Sequence, residues 1–174
     1  MNLKESKKAK ESLDWYTKMI KQMGHFQKNP KYLDDSGFGS IVLGPQLGKL
    51  TFFYYDPKLK DILPHYDIFP LVLPIEPYDD SFLGLNLHYL PMGERAHLFN
   101  ALLDLTNNNK FDESTKIKAR YEILKKASRF QNYEKCIKKY LYSHVQSKFL
   151  QVAPTFWTTA IYLPVAQFRK GKPY

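Results

Sequence analysis

The chain contains one cysteine, Cys136, eight glycines and no long apolar run among its 174 residues. A single cysteine cannot form an internal disulfide or a multi-cysteine metal cage, so a reducing compartment is expected. No stretch reaches the ~18 apolar residues of a membrane helix. The opening stretch, "MNLKESKKAKESLDWY", is charged and lacks the apolar centre of a signal peptide. We therefore expect a soluble protein that is made inside the cell and has no membrane partner.

Sequence motifs of the common enzyme classes are also missing. The chain has no G-x-S-x-G, Walker-type or G-x-G-x-x-G loop, and its five histidines share no spacing typical of metal ligands. Lysines flank Cys136 without a histidine nearby in sequence, which favours a structural thiol over a nucleophile. The aspartates that a metal-dependent nuclease would need, among them Asp67 and Asp80, lie in or beside predicted turns. We predict no enzyme, no catalytic or metal-binding residue, no cofactor and no small-molecule substrate.

Aromatic and basic residues, by contrast, are abundant. Thirteen Tyr and twelve Phe bring the aromatic share to 16% with the two Trp, and tyrosine suits surfaces that become buried on assembly. The formal charge of +9 indicates contact with a polyanion or with an acidic protein face. The lysines could equally serve only to keep an aromatic-rich chain in solution, and composition alone leaves these interpretations open.

The hydrophobic pattern predicts a helical arm followed by one α+β domain. Over residues 3–23, Leu13, Tyr16, Ile20 and Met23 recur at helical spacing, and Gly24 follows as a stop signal. We therefore predict an outward arm over 1–24 and a single domain over 25–174. The predicted domain is a small antiparallel sheet or SH3-like barrel over about 50–90, packed by a helical C-terminal half over about 93–145, with an extended C-terminal segment.

Three strands are predicted in the middle third, from "LTFFYYD", "IFPLVLPIEPYDD" and "FLGLNLHYLP". Prolines 70, 74 and 77 place the second strand at an edge or at a bulge, because proline lacks the N–H of a central ladder. In the third strand the leucines at 83, 85 and 87 alternate with polar or small residues, so we expect the leucine side to face a core.

Three helices are predicted after the sheet, from "GERAHLFNALLDL", "DESTKIKARYEILKKASRF" and "NYEKCIKKYLYSHV". In the first helix we expect leucines 98, 102 and 105 to be buried. Asp112 and Glu113 suit the N-terminus of the second helix, whose expected buried stripe is formed by Ile117, Tyr121, Leu124 and Ala127. The third helix is expected over 132–144.

Basic residues cluster between positions 116 and 139. Three interpretations remain open for this cluster: a solvated helix face, a site for an acidic protein, or non-specific contact with DNA or RNA through the phosphates. The candidate nucleic-acid-binding residues are Lys118, Lys125, Lys126, Arg129, Lys135, Lys138 and Lys139.

Aromatic residues crowd the stretch "FFYYDPKLKDILPHYDIFPLVLPI" at 52–75. Such residues could stack on bases or could cover the sheet while the prolines block uncontrolled strand addition. We favour structure and interface over a ligand groove. The candidate partner-binding residues are Tyr54, Tyr55, Tyr66, Phe69, Trp157 and Tyr162.

The same stretch, together with "GLNLHYL", "NNNKFDESTKIKARYEILKKASRF", "KKYLYSHVQSKFL" and "TFWTTAIYLPVAQF", resembles small proteins of T4-like contractile-tailed bacteriophages. The resemblance covers roughly residues 50–168 and leaves the first 48 unmatched. It points to two groups, virion components of the tail or baseplate and DNA-associated proteins such as the DNA end protector.

This resemblance implies a non-enzymatic phage protein that is made in the host cytoplasm and built into the virion. From it we predict a structural component of the baseplate or tail hub, which acts through contacts with other virion proteins. The alternative is a non-specific DNA-binding protein that protects or packages DNA ends, with DNA as its partner.

Overall fold

A computed structural model describes residues 3–28, 37–63, 66–129, 133, 135–163 and 169–170. The α helices in these ranges are α1 (Leu3–Lys28), α2 (Met92–Thr106), α3 (Glu113–Ser128) and α4 (Trp157–Ile161). The strands are β1 (Gly39–Val42), β2 (Thr51–Phe52), β3 (Tyr66–Asp67), β4 (Leu71–Pro77), β5 (Ser81–Asn86), β6 (Ile137–Leu141), β7 (Phe149–Val152) and β8 (Arg169–Lys170). The predicted α+β class is confirmed.

Six strands form one antiparallel sheet in the order β1-β7-β2-β4-β5-β6, and β3 pairs separately with β8. The three strands predicted over 50–90 are adjacent in this order, as expected of a meander. The sheet is larger than predicted because β1, β6 and β7 come from outside that segment. In the described part of the chain no ladder joins β1 to β6, so these strands form two open edges rather than a closed barrel.

The proline-rich strand β4 is internal to the sheet, since it pairs with both β2 and β5. The predicted edge position of this strand is therefore wrong. The predicted bulge is confirmed, because the register of β4 with β5 shifts between Pro74 and Glu76. The shift lets proline occur in a central strand without interrupting a regular ladder. The carbonyl of Pro74 accepts a hydrogen bond from the Gly48 N–H at 3.0 Å.

The helix predicted over 132–144 is wrong from residue 137 onward, while residues 132 and 134 lie outside the described ranges. Residues Ile137–Leu141 form β6, which pairs with β5 from Leu85↔Ile137 to Ser81↔Leu141. The edge of β5 needs a partner for its backbone groups, and this requirement outweighs the helical spacing of the local sequence. Consecutive lysines at 138 and 139 suit an edge strand, because charge discourages further strand addition.

The main core lies on one face of the sheet and is covered by the helices. The helix α1 contributes Trp15, Tyr16, Met19 and Met23 to it, and the Trp15 ring stacks on Phe156 with ring centroids 5.9 Å apart. The predicted N-terminal helix is thus confirmed, while its second half packs into the domain and continues through Gly24 to Lys28.

The helices α2 and α3 cover the same face. In α2, Leu98 and Leu102 are buried as predicted, and Leu105 is half-buried. In α3 the predicted stripe is shifted, because Ile117 is 44% exposed. The side chains of α3 that point inward are Lys116, Arg120, Leu124 and Ala127.

The opposite face of the sheet carries a smaller aromatic cluster of Phe53, Tyr55, Val72, Phe82, Tyr140 and Phe149. The strand β5 therefore contacts apolar residues on both faces, with Leu85 in the main core and Phe82 in the smaller cluster. Leu83, predicted to face the core with the other leucines, is only half-buried.

Candidate nucleic-acid interface

The helix α3 separates its basic residues into an inner and an outer set. Asp112 caps its first turn by accepting a hydrogen bond from the Thr115 N–H at 2.7 Å, and this bond lowers the pKa of the Asp112 carboxyl. The inner residues Lys116 and Arg120 are buried and lie 3.3 and 3.8 Å from Glu113. The outer residues are exposed and point away from the core: Lys118, Lys125, Lys126 and, just after the helix, Arg129.

Two exposed lysines lie over tyrosine rings on the α3 side of the sheet. The Nζ atom of Lys125 is 5.1 Å from the Tyr121 centroid, and that of Lys139 is 5.6 Å from the Tyr78 centroid. The pKa of Tyr78 is raised, first by loss of hydration and then by the neighbouring Glu76 and Tyr121. We call Tyr78, Tyr121, Lys125 and Lys139 the lysine–tyrosine surface.

Lys138 lies on the other side of the sheet, because successive side chains of a strand point to opposite faces. Its Nζ atom is 4.5 Å from the Tyr89 ring centroid, and its side chain is half-buried. Lys135, in the turn before β6, is exposed. The seven predicted cations therefore do not share one surface. The structure brings Lys125 and Lys139 to the lysine–tyrosine surface, and Lys138, together with Lys139, also lines a cavity.

This cavity, about 310 Å³ in volume, opens beside β6 on the face that carries the smaller aromatic cluster. Its walls are largely apolar or aromatic, and Lys58, Lys138 and Lys139 provide positive charge. The remaining lining residues are Tyr55, Pro57, Leu59, Leu63, Tyr66, Asp67, Asn86, Tyr89, Tyr140 and Leu141.

A buried polar network lies at one end of the cavity. The Nδ2 group of Asn86 donates to Oδ2 of Asp67 and to Oη of Tyr140, 2.9 Å away. Oδ1 of Asn86 accepts from the His88 N–H at 2.8 Å. Burial, and then the charge of Asp67, raise the pKa of Tyr140 and also that of Tyr16. The Oδ1 atom of Asp67 is buried with no hydrogen-bond partner in the described part of the chain.

The six predicted partner-binding aromatics have different environments. Tyr54 is exposed and stacks on the half-buried Phe69, with ring centroids 5.2 Å apart. Tyr66 is half-buried and lines the cavity. Tyr162 is half-buried and accepts a hydrogen bond from Lys8 Nζ at 3.0 Å. For these four residues, contact with a partner stays a prediction.

The other two predicted aromatics, Tyr55 and Trp157, are buried inside the chain. Trp157 donates its indole N–H to the Val152 carbonyl at 3.2 Å, and its ring lies 5.4 Å from that of Phe99. Tyr55 accepts a hydrogen bond from the Leu141 N–H. Both rings pack inside the chain and present little surface, although Tyr55 also lines the cavity. Contact of these two residues with a partner stays a prediction.

Sequence reasoning missed the polar residues of the network, Asn86 and His88, and the tyrosines Tyr78 and Tyr89 beneath the lysines. A signal for Asn86 was present, because an amide in the apolar stretch "FLGLNLHYL" is either a turn residue or a buried group that needs partners. The pair of Tyr78 and Lys139 carries no local signal, since these residues are distant in sequence. Tyr121 and Lys125, in contrast, are four residues apart on one helix, a spacing that brings side chains together.

The described residues contain neither a metal-binding cluster nor a membrane-spanning helix. Within the described ranges, no three His, Cys, Asp or Glu side chains come together as a metal ion would require. Of the helices in those same ranges, none combines the length and apolar character needed to cross a bilayer.

A family of phage proteins matches nearly the whole chain. The sequence model of the family described as phage T4 terminal DNA protecting protein matches residues 2–174. The match includes residues 2–48, which the resemblance had left unmatched. Neither a curated protein nor a solved structure matches the chain. Because the family match spans more than half of the sequence, the chain belongs to the phage T4 terminal DNA protecting protein family.

Proposed function

We propose that the protein binds a terminus of phage DNA and protects it by occupying it, with no covalent bond made or broken. Membership of a family described by terminal DNA protection supports this reading. This membership favours protection of DNA ends, the alternative predicted from the sequence, over a role in the baseplate or tail hub. The observation that carries the proposal in this chain is the lysine–tyrosine surface, where Lys125 and Lys139 lie over Tyr121 and Tyr78.

The chemistry of this surface suits a DNA backbone. Lysine ammonium groups bind phosphates as point charges, and each contact releases counterions, which makes binding sensitive to salt. The tyrosine rings beneath the lysines hold the cations in place and could stack on bases that are unpaired at a strand terminus. In addition, the protein's formal charge of +9 attracts the protein as a whole to DNA.

End protection is tested with linear and circular DNA of the same sequence. The linear DNA is digested by an exonuclease in the presence of increasing amounts of the protein, and surviving DNA is measured. We expect protection at protein-to-end ratios near one, with circular DNA a poor competitor. Protection that requires coating of the whole molecule, or equal competition by circular DNA, would overturn the proposal. Cleavage of either DNA by the purified protein alone would overturn the non-enzymatic reading.

A second candidate function is contact with another virion protein. One observation favours it: Leu43, in the loop after β1, is 96% exposed, and Tyr54 is exposed as well. Large apolar side chains on a surface are often sites of protein contact. This role predicts that the protein copurifies with intact virions after nuclease treatment. Its absence from such virions by mass spectrometry would exclude both the structural role and a virion location.

A further inference from the structure

The cavity beside β6 combines aromatic walls, a buried carboxylate oxygen and a basic rim. We propose that this cavity holds the unpaired terminal nucleotide of a DNA strand, with the base inside and the phosphate at the rim. The inference rests on the proposed function, because an end-binding protein meets strand termini. A terminal base is also the one that leaves the stack at least cost.

The size of the cavity limits what it can hold. Pockets for small ligands measure roughly 300–1,000 Å³, and this one, at about 310 Å³, lies at the lower end of that range. One nucleotide base fits such a volume, whereas a helix or a base pair does not. The volume therefore suits a single unpaired base.

The unsatisfied oxygen of Asp67 indicates what the occupant must donate. The side chain of Asp67 is 3% exposed and lines the cavity. Its Oδ2 atom accepts from Asn86, whereas its Oδ1 atom has no partner among the described residues. A buried carboxylate oxygen without a donor is unfavourable. A ligand in the cavity whose N–H group reaches this oxygen, once the carboxylate turns toward the cavity, would remove that cost.

The amino groups of adenine, cytosine and guanine are such donors, and pairing of Asp with the cytosine amino group is an established form of base recognition. Thymine has no amino group. Its one donor on the pairing edge, N3–H, lies between the O4 and O2 carbonyls, and these oxygens would face the carboxylate unfavourably. The cavity should therefore prefer an amino-bearing base over thymine.

The walls and the rim match the other two parts of a nucleotide. Tyr66 and Tyr89 are half-buried aromatic residues of the wall, and aromatic rings stack on any base. Lys58 and Lys138 carry positive charge at the same cavity, where a phosphate attached to the bound base would lie. The cavity thus has a carboxylate inside and lysines at its rim. This arrangement complements a nucleotide, whose hydrogen-bond donors lie on the base and whose negative charge lies on the phosphate.

The test uses the full chain and hairpin DNAs with one open end. The open end is blunt or carries one unpaired A or T, and a control DNA is closed by loops at both ends. Dissociation constants are measured by fluorescence anisotropy. We expect the A end to bind about tenfold more tightly than the T end and the closed DNA to bind most weakly. The Asp67→Asn substitution should abolish the difference between A and T while leaving open ends preferred over closed DNA.

A second pair of variants leaves the buried network intact. Leu63→Trp places a large ring in the cavity wall, where Leu63 is 37% exposed. Ile62→Trp adds the same ring at the neighbouring position, which is 76% exposed and does not line the cavity. We expect Leu63→Trp to lose the preference for the A end and Ile62→Trp to retain it.

The outcomes separate this inference from the proposed function. Equal binding of open and closed DNA overturns the proposed function, and the inference falls with it. A preference for open ends that does not depend on the terminal base, or that survives Leu63→Trp, overturns the inference alone. Free dAMP is the control ligand for the same chemistry. If it binds with the Asp67 dependence expected here while an unpaired A adds nothing to DNA binding, the cavity is a site for free nucleotides and the inference is wrong.

Discussion

The Nδ1 atom of His88 lies 3.2 Å from the Oδ2 atom of Asp67, and these side chains are 0% and 3% exposed. The contact joins the turn after β5 to β3, a strand outside the main sheet. Asn86 connects the same carboxylate to β6 through its bond to Tyr140. A network of buried polar groups thus fixes the position of β3, and with it one end of the cavity, relative to the sheet.

The first prediction concerns the amide at the centre of this network. Asn86→Ala removes both N–H donors and the acceptor of the His88 N–H. We expect the free energy of unfolding to fall by about 3 kcal/mol or more, because a buried carboxylate loses a hydrogen-bond donor. Urea denaturation measures the change. The control Asn109→Ala, at an exposed position, should alter stability by less than about 0.5 kcal/mol; similar values for the two variants would show that the network contributes little.

The second prediction concerns the salt dependence of DNA binding. The double variant Lys125→Glu with Lys139→Glu removes both cations of the lysine–tyrosine surface. If each lysine contacts a phosphate, the slope of log affinity against log salt should become shallower by about 2. The matched control, Lys4→Glu with Lys10→Glu, makes the same change in net charge at exposed positions of α1. Equal effects of the two double variants would show that only the overall charge matters.

The third prediction concerns stability in alkaline solution. Burial and Asp67 hold the pKa of Tyr140 well above its ordinary value of 10.0. The folded protein therefore keeps this proton at a pH where the unfolded chain releases it. The free energy of unfolding should fall as pH rises above about 10, with no contribution from this group at lower pH.

Tyr140→Phe removes this source of pH dependence. Between pH 10 and the raised pKa, the slope of stability against pH should become shallower by up to about 1.4 kcal/mol per pH unit. Unfolding is followed by circular dichroism and the phenolate by absorbance. Tyr54→Phe, which removes an exposed hydroxyl, should leave the slope unchanged. A Tyr140→Phe slope equal to that of the parent protein would contradict the assignment.

The fourth prediction concerns Gly24, which was expected from the sequence to end the first helix. In the structure it lies inside α1, and a Cβ atom at this position would meet nothing within 4 Å. Gly24→Ala should therefore raise the free energy of unfolding by about 0.5–1 kcal/mol. Gly37→Ala is the control, since Gly37 also has open space but a φ of +71°; it should lower stability by about 1 kcal/mol. A destabilising Gly24→Ala would mean that the helix ends there.

The local hydrophobic pattern was sufficient to locate the helices α1, α2 and α3 and the central strands of the sheet. The helix α3 begins directly after its capping residue Asp112, as predicted. The strands β2, β4 and β5 lie in the β-branched and aromatic stretches from which they were predicted. Pattern failed at β6, because spacing of 3–4 residues between Tyr133, Ile137 and Tyr140 is typical of a helix. The decision there depends on the open edge of β5, which is distant in sequence.

The candidate site was predictable in its charge and not in its geometry. The formal charge of +9 indicates contact with a polyanion or with an acidic protein face, and the candidate cations were identified by their clustering in the sequence. The alternation of β6 between the two sides of the sheet places Lys138 over Tyr89 and Lys139 over Tyr78. The burial of Trp157 and Tyr55 could not be read from their chemistry, because a tyrosine or tryptophan suits an interface and a core equally well.

By itself, the amino-acid sequence determined the basic character of this protein, its α+β class and the absence of the common enzyme motifs, since these depend on residue types and short-range spacing. The tertiary structure alone decided that Asp67, Asn86, His88 and Tyr140 meet at one end of a cavity. These residues come together only when strands from three separate parts of the chain pack against each other. The same packing buries Asp67, and burial leaves one of its carboxylate oxygens without a hydrogen-bond donor among the described residues.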